Sequence, residues 1–385
     1  MENKIIIFAG LAASLINFRS ELISDMVKAG WEVHTVAPHP EVGDYTADQL
    51  RAMGCKVHFI RMSRNGLNPL FDLWAFLQLS AVLLRVRPRK ILCYTIKPIV
   101  YGLISSYLCR VPGRYALVTG LGLAFQTTNN SKSPMQILMQ TAYRLALRVS
   151  SAVVFQNEDD RALMLETGIL LPETQTHLVN GSGVNGRLFD YRPLPTEQDQ
   201  STVRFLMICR LLKAKGVREF CSAASLVLRE FPEAEFRLCG PLDSGPDGIS
   251  KGELNELIGE GAVTYIGPVK DVRYEIQNCS VYVLPSYREG TPRTVLEAMA
   301  MGRPIITTDV PGCRQTVDEG VNGYLVPPQD PIALANACIK FLKRPSLGLE
   351  MGLAARRVVE KRYDVRLVNR DMCRALQIDA RGEST

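Results

Sequence analysis

Short apolar runs alternate with stretches of helical periodicity along the whole chain. In the first half they are KIIIFAG, WEVHTVA, KVHFI, KILCY, YALVT, AVVFQ and THLVN. In the second they are VRFLMIC, EFRLCG, VTYIG, VYVLP, RPIITT and GYLVP. They are rich in Val and Ile and too short for helices, the form of strands buried on both faces. Strands that alternate with helices predict parallel sheets covered on both sides. Thirteen strands are too many for one open sheet, and FDYRPLPTEQDQST (189–202), with two Pro and no periodicity, divides the set as an interdomain linker. The predicted architecture is α/β: two doubly wound domains facing each other, over 1–188 and 203–362. A helix over 363–380 would pack back on the first. Ligands of such sheets bind beyond the carboxyl ends of the strands, so a shared site is expected between the domains.

Composition supports this picture and adds one feature. With 385 residues, 46% of them hydrophobic, there is material for two cores. The ten Cys are scattered without a C-x-x-C, and most lie in apolar strand-like runs, which predicts buried free thiols in a reducing cytosol. His residues stand at 34, 39, 58 and 177, none paired with a carboxylate at metal-ligand spacing, so no metal site is expected. The opening MENKIIIFAGLAASLI reads as a strand and the start of a helix, not a signal peptide, because its n-region is weak and NFRSELISDMVKAGWEVHTV continues the fold pattern. No segment has 18 uninterrupted apolar residues, so no transmembrane helix is expected.

Charge is unevenly spread. From Arg51 to Val154 there are four Lys and ten Arg against the single acid Asp72, whereas 191–385 carries 26 basic and 25 acidic groups. So lopsided a block points to anionic lipid or phosphate, with a plain solvated face as the alternative. Nucleic acid is disfavoured, since no RNA-binding or zinc-finger signature is present. Two predicted helices in this block, over 68–90 and 133–151, are broadly apolar with Arg85, Arg87, Arg89 and Lys90, or Arg144 and Arg148, toward their ends. Core packing is the default reading of both; a membrane interface is the other.

The chemistry concentrates in SYREGTPRTVLEAMAMGRP, 286–304. Thr291 is suited to cap a helix and Pro292 to begin it. The free N–H groups and positive end of that helix would face the loops beyond VYVLP. Gly290 permits close approach of the backbone to a ligand. Arg293 is electrostatically misplaced in a first helical turn unless an anion such as a diphosphate lies nearby. Glu297 and Glu289 could each accept hydrogen bonds from a set of hydroxyls.

This E-x7-E element, with the continuation EAMAMGRPIITTDVPGCRQTVDEGVNGYLVPPQDPIALANA, resembles the retaining glycosyltransferases of family 4. That resemblance implies the GT-B fold of two Rossmann-like domains and a nucleotide-sugar donor held mainly by the C-terminal one. It implies Glu297 on the ribose, Glu289 on the donor sugar, and backbone near Gly290, Thr291 and Pro292 beside sugar and phosphate. In CRLLKAKGVREF, Arg210 and Lys215 match the family's diphosphate clamp, with Lys213 as a nearer-strand alternative to Lys215. Two cations there could neutralise a pyrophosphate and the charge that grows as the sugar departs.

The first domain is expected to hold the acceptor. Gly10 in FAGLAASLINFR would let the loop approach the donor phosphates, although no G-x-G-x-x-G is present. Asn17, Arg19 and Lys97 would point at the cleft, with Arg19 and Lys97 as candidates for an acceptor phosphate and plain surface cations as the alternative. Thr119, Gly120 and Gly122 lie in VTGLGLAF, where many family members carry a His; loops of this type resemble the branch that extends polyprenyl-diphosphate-linked glycans in bacteria. NGSGVN resembles the family's G-S-G-V-D, which makes Gly183 a donor-site candidate, with Asn185 where Asp is usual. The resemblance therefore implies metal-independent, retaining transfer of a hexose or N-acetylhexosamine from a UDP-sugar to an undecaprenyl-diphosphate-linked saccharide. The enzyme would be peripheral on the anionic inner face of the cell membrane. A soluble acceptor, or a non-catalytic nucleotide-sugar-binding protein, are the alternatives.

Overall fold

The computed structural model describes residues 3–40, 45–62, 69–121, 134–194, 202–259 and 261–378. They form two compact units, Met1–Ser182 with Leu367–Thr385, and Gly183–Arg366. Unit 1 begins β1 (Lys4–Phe8), α1 (Ala12–Lys28), β2 (Glu32–Pro38), α2 (Thr46–Ala52), β3 (Lys56–Ile60) and α3 (Pro69–Val86). It continues β4 (Lys90–Tyr94), α4 (Ile96–Leu108), β5 (Gly113–Val118), α5 (Pro134–Arg148), β6 (Ala152–Phe155), α6 (Glu158–Glu166) and β7 (Thr176–Leu178). Unit 2 begins β8 (Arg204–Ile208), α7 (Val217–Leu228), β9 (Glu235–Cys239), α8 (Lys251–Ile258), β10 (Thr264–Gly267) and α9 (Arg273–Gln277). Then come β11 (Val281–Leu284), α10 (Arg293–Ala300), β12 (Ile305–Thr308), β13 (Gly323–Val326), α11 (Pro331–Lys343) and α12 (Ser346–Val358). Helix α13 (Val365–Ala375) follows.

Every apolar run singled out in the sequence is one of these strands. The sheets are parallel and ordered β3-β2-β1-β4-β5-β6-β7 and β10-β9-β8-β11-β12-β13. The two-residue period of a strand explains the uninterrupted apolar sequence. In β1, Ile5 and Ile7 enter a core with Leu15 and Leu22 of α1 and Met372 of α13, whereas Ile6 and Phe8 enter one with Leu79 of α3, Leu103 of α4 and Leu147 of α5. Unit 2 has a single large core.

Strand order fixes where loops can open. In each sheet the chain starts at a central strand, winds to one edge, and returns to the other side of its start. Neighbours β1 and β4, and β8 and β11, thus send their following helices in different directions, leaving a crevice beyond their carboxyl ends.

Helix α13 packs back on unit 1. Asn369 Nδ2 donates to Asp25 (2.8 Å), and the Lys90 ammonium donates to the carbonyls of Leu376 (2.6 Å) and Gln377 (2.5 Å). Lys90, expected at the basic end of the helix over 68–90, instead begins β4 and is buried against the C-terminal segment.

The expected linker, 189–202, is only partly described, since 195–201 lie outside the described residues. What precedes them belongs to unit 2. Phe189 is buried, and two arginines collect the carbonyls of this segment. Arg356 donates to those of Gly186, Phe189 and Ala300, and Arg303 to those of Arg192, Pro193, Ile276 and Gln277. Arg303 is fully buried, and burial lowers its pKa. Among the described residues its charge is met by carbonyl dipoles, an arrangement stable while each carbonyl keeps its donor. Arg303→Leu strands four carbonyls and is expected to lower unfolding free energy by about 3 kcal/mol or more, read from urea denaturation. A loss under about 1 kcal/mol would show that water replaces the guanidinium freely.

Candidate active site

The switch point of the second sheet gathers the charged residues that the sequence singled out. Strand β8 ends at Ile208, and a single 3-10 turn, Lys213–Lys215, precedes α7. Strand β11 ends at Leu284, and the loop 285–292 leads into α10. Because β8 and β11 are neighbours, these loops leave the sheet side by side.

They are sewn together by backbone. Tyr287 N donates to Ala214 O (2.9 Å), and the Gly216 backbone has φ 76°, where a Cβ would stand 2.2 Å from the Pro285 carbonyl oxygen. Only glycine fits that contact and that dihedral. On the other side, Glu289 N donates to Pro311 O (3.1 Å), and a Cβ on Gly312 (φ 83°) would lie 2.3 Å from the Glu289 carbonyl oxygen. Loop 285–290 is thus clamped between two glycines distant in sequence.

Lys215 Nζ forms an ion pair with Glu289 Oε1, which also accepts from Ser286 Oγ (2.8 Å). Both donors take the same carboxylate oxygen. Lys215, and not Lys213, makes this reach. Burial works against the Lys215 charge, but the Glu289 carboxylate outweighs it and holds the ammonium pKa above its ordinary value. Arg210 Nη1 pairs with Asp243 Oδ2 (2.8 Å). Arg210, Lys215 and Glu289 all act electrostatically on the Cys209 thiol between them, whose pKa burial pushes up to about 12.

Helix α10 begins at Arg293 with Pro292 as its N-cap, one residue later than the Thr291 cap expected from sequence. The cause is the Pro292 backbone, extended at ψ 110°. Arg293 finds its counter-charge on its own helix: Nε donates to Glu297 Oε1 four residues on (2.8 Å). Its position in a first turn therefore needs no external anion. Glu297 is buried; burial raises its pKa, and Arg293 opposes the rise.

Other expected positions fall differently. Gly183 leaves room for Val365, whose Cα would be 2.7 Å from an added Cβ. Asn185 Oδ1 accepts from Arg187 N (2.9 Å) and Leu188 N (3.1 Å), making a turn an Asp could also make. At the switch point of the first sheet, a Cβ on Gly10 would meet Thr95 Oγ1 at 2.7 Å, so its smallness accommodates this neighbouring loop. Asn17 is exposed. Arg19, expected to point at the cleft as a candidate for an acceptor phosphate, is 3% exposed with its guanidinium over the Tyr94 ring, 5.4 Å from the centroid. Lys97 is likewise engaged, in an ion pair with Asp72 (2.9 Å). Thr119 and Gly120 follow β5 and are half-buried; Gly122 lies outside the described residues. Sequence reading missed Asp243, Ser286 and Gly312. Ser286 and Gly312 lie in the stretches singled out and carried some signal; Asp243 carried none.

Two Rossmann-like units, one bearing paired cations and carboxylates at its switch point, define the class as two-domain α/β proteins with the GT-B fold. Comparison with known proteins agrees. Residues 6–157 match the family model described as Glycosyl transferase 4-like, and 202–344 match Glycosyl transferases group 1. The N,N'-diacetylbacillosaminyl-diphospho-undecaprenol alpha-1,3-N-acetylgalactosaminyltransferase of Campylobacter jejuni is 30% identical over 322 residues, covering 81% of this chain and 82% of its own. The capsular polysaccharide biosynthesis glycosyltransferase CapM of Staphylococcus aureus is 24% identical, covering 81% and 82%. Among solved structures, sucrose-phosphate synthase from Thermosynechococcus elongatus superposes with TM-score 0.80 at 20% identity, covering 98% of both chains. Anabaena HepE in complex with UDP gives 0.76 at 18%, covering 98% of this chain and all of its own. The chain belongs to the family 4-like, group 1 glycosyltransferases.

The titration of Glu297 gives a test of the site. The folded chain holds its proton more tightly than the unfolded chain, so stability falls as pH rises from the ordinary carboxylate range through the raised value. Glu297→Gln removes that penalty and is expected to be as stable as the parent at pH 7, or more so, with any gain shrinking toward pH 4. Urea unfolding at both pH values reads it; a variant clearly less stable at pH 7 would mean that the Arg293 pairing outweighs desolvation.

Proposed function

We propose that this glycosyltransferase transfers a hexose or N-acetylhexosamine, with retention, from a UDP-sugar to a saccharide carried on undecaprenyl diphosphate. It acts as a peripheral protein on the anionic inner face of the cell membrane. The observation that carries the donor half is the Lys215–Glu289 pair, which puts a cation and a hydroxyl acceptor on adjoining loops of one switch point. The acceptor half is supported by the Campylobacter relative, whose name specifies a diphospho-undecaprenol acceptor.

Each residue then has a task. Arg210 and Lys215 bind the diphosphate, with Arg293 and the α10 N-terminus adding positive potential nearby. Glu297 accepts from the ribose hydroxyls. Glu289 has Oε1 occupied by Lys215 and Ser286 and turns Oε2 to the donor sugar. As the bond between the anomeric carbon and the phosphate oxygen breaks, its electron pair passes to the diphosphate, where the two cations meet the growing charge. The acceptor hydroxyl attacks the same face of the sugar, and its proton goes to the departing diphosphate oxygen. Cations supply the charge compensation, so transfer proceeds without a metal. Gly10, Thr119, Gly120 and Gly122 remain acceptor-side candidates together with Asn17.

Transfer of radiolabel from UDP-, GDP- and ADP-sugars to undecaprenyl-diphosphate-linked saccharides, counted in the organic phase with EDTA present, tests the reading. Label from one UDP-sugar is expected. UDP binding without labelled lipid would favour a soluble acceptor or a non-catalytic binding protein instead. Glu289→Ala should cut turnover on the order of 100-fold or more with the thermal midpoint little changed; near-normal turnover overturns the assignment. Lys215→Ala should weaken UDP binding about 10-fold or more by calorimetry, and an unchanged Kd would place the diphosphate elsewhere.

A further inference from the structure

Helix α3 is apolar nearly all round, yet the fold covers only one of its faces. Its buried positions, Asp72, Ala75, Leu79, Leu83 and Val86, follow one helical stripe onto the first sheet. Leu73, Trp74, Leu77 and Leu84 lie on the other side and are 56%, 53%, 50% and 61% exposed. A helix whose outward face is also apolar is built for a second nonaqueous neighbour. Helix α5 presents a stripe of the same kind, with Ile137, Leu138 and Leu145 exposed among Arg144 and Arg148. Between them lies α4, which packs on both and exposes Tyr107 and Leu108 at its end. These three helices cover the same face of the sheet and, as crossovers of a parallel sheet, run in one direction. Arg85, Arg110 and Arg148 stand at or just beyond the ends at which they finish.

The acid of this block is also accounted for. Asp72, on the inner stripe of α3, is paired with Lys97 at the start of α4 (2.9 Å), and its carboxylate helps to raise the pKa of Tyr101. The pair joins the leading ends of the two helices and keeps the one negative charge off the outer face. An apolar face without an exposed acid, bordered by arginines, complements an anionic bilayer: aliphatic and indole groups enter the interface and guanidinium groups meet phosphates. We infer that the outer face of α3, α4 and α5 is where this protein docks on anionic lipid, with Trp74 inserted. This inference rests on the proposed lipid-linked acceptor but concerns a separate surface.

Trp74 makes it testable in the full-length protein. The other tryptophan, Trp31, is 7% exposed, so a lipid-induced change in emission reports on Trp74. Vesicles of phosphatidylglycerol and phosphatidylethanolamine are expected to bind the protein, shift its emission to the blue and, when brominated, quench it. Phosphatidylcholine vesicles should do so at least 10-fold more weakly, and Trp74→Phe should abolish the optical signal while leaving flotation intact. Trp74→Ser with Leu77→Ser should lower vesicle binding at least 10-fold while sparing UDP affinity and transfer to a short-chain, water-soluble analogue of the acceptor. Flotation without any Trp74 response would overturn this face, as would a dimer in light scattering that buries Trp74 without lipid. If the parent binds vesicles as expected but transfers to neither the lipid nor the soluble acceptor, the proposed function fails and the docking face stands.

Discussion

The ion pair between Lys215 and Glu289 is the contact on which the candidate site depends. The two residues lie 74 positions apart, and no local rule brings them together. What does is the order of the second sheet, which sets β8 beside β11 and delivers both following loops to one crevice. The pair then fixes the loops against each other, and Gly216 and Gly312 allow the backbone approach on which it relies. The chemistry is thus a consequence of topology: another strand order with the same residues would leave a lone lysine and a lone glutamate.

The cations of the site do not stand alone. Arg210, Lys215 and Arg293 are paired with Asp243, Glu289 and Glu297 in turn. A carboxylate beside a cation costs part of its pull on an incoming anion, but it offsets the desolvation of a buried charge and limits the freedom of a long side chain. The balance differs among the three. Arg210 and Asp243 are partly solvated, so water screens their attraction and an arriving phosphate can compete for the guanidinium. Lys215 and Glu289 are more enclosed, which makes separating them expensive. Under the proposed reaction the donor is therefore better added to the Lys215–Glu289 pair than inserted between its members. Glu289 Oε2 and the remaining ammonium protons are the groups through which that addition would occur.

Much of this was legible in the sequence because it is local. Thirteen apolar runs gave thirteen strands, since a strand buried on both faces has no polar positions to confuse it with a loop. The E-x7-E spacing located both carboxylates, and Thr291 and Pro292 marked the α10 start to within one residue. What sequence missed is tertiary. Arg19 and Lys97 looked like cations available to an acceptor phosphate because nothing in the neighbouring sequence announces Tyr94 beneath one or Asp72 beside the other. Asp243 sits in DSGPDG, which reads as a turn, and its link to Arg210 appears only when β8 and β9 pair. Segment 189–194 looked like free linker because the donors that hold it, Arg303 and Arg356, come from more than 100 residues further on.

The two sheets share a winding order and differ in what they put at the switch point. In the second, charged side chains face one another across it. In the first, Gly10 meets Thr95, which keeps a strained φ of 70°, and the nearby cations are spent on internal partners, Arg19 on Tyr94 and Lys97 on Asp72. A positive φ in a β-branched residue persists only where its surroundings over-determine it. Here the helix that starts at Ile96, the Gly10 loop packed against Thr95, and the Lys97–Asp72 pair hold it from three sides. That pair also fixes the leading end of α3, so the outward apolar face and the first switch point share a support. Any force that lifts α3 from the sheet must break an enclosed ion pair at the same crevice, and the rigidity of one is therefore the rigidity of the other.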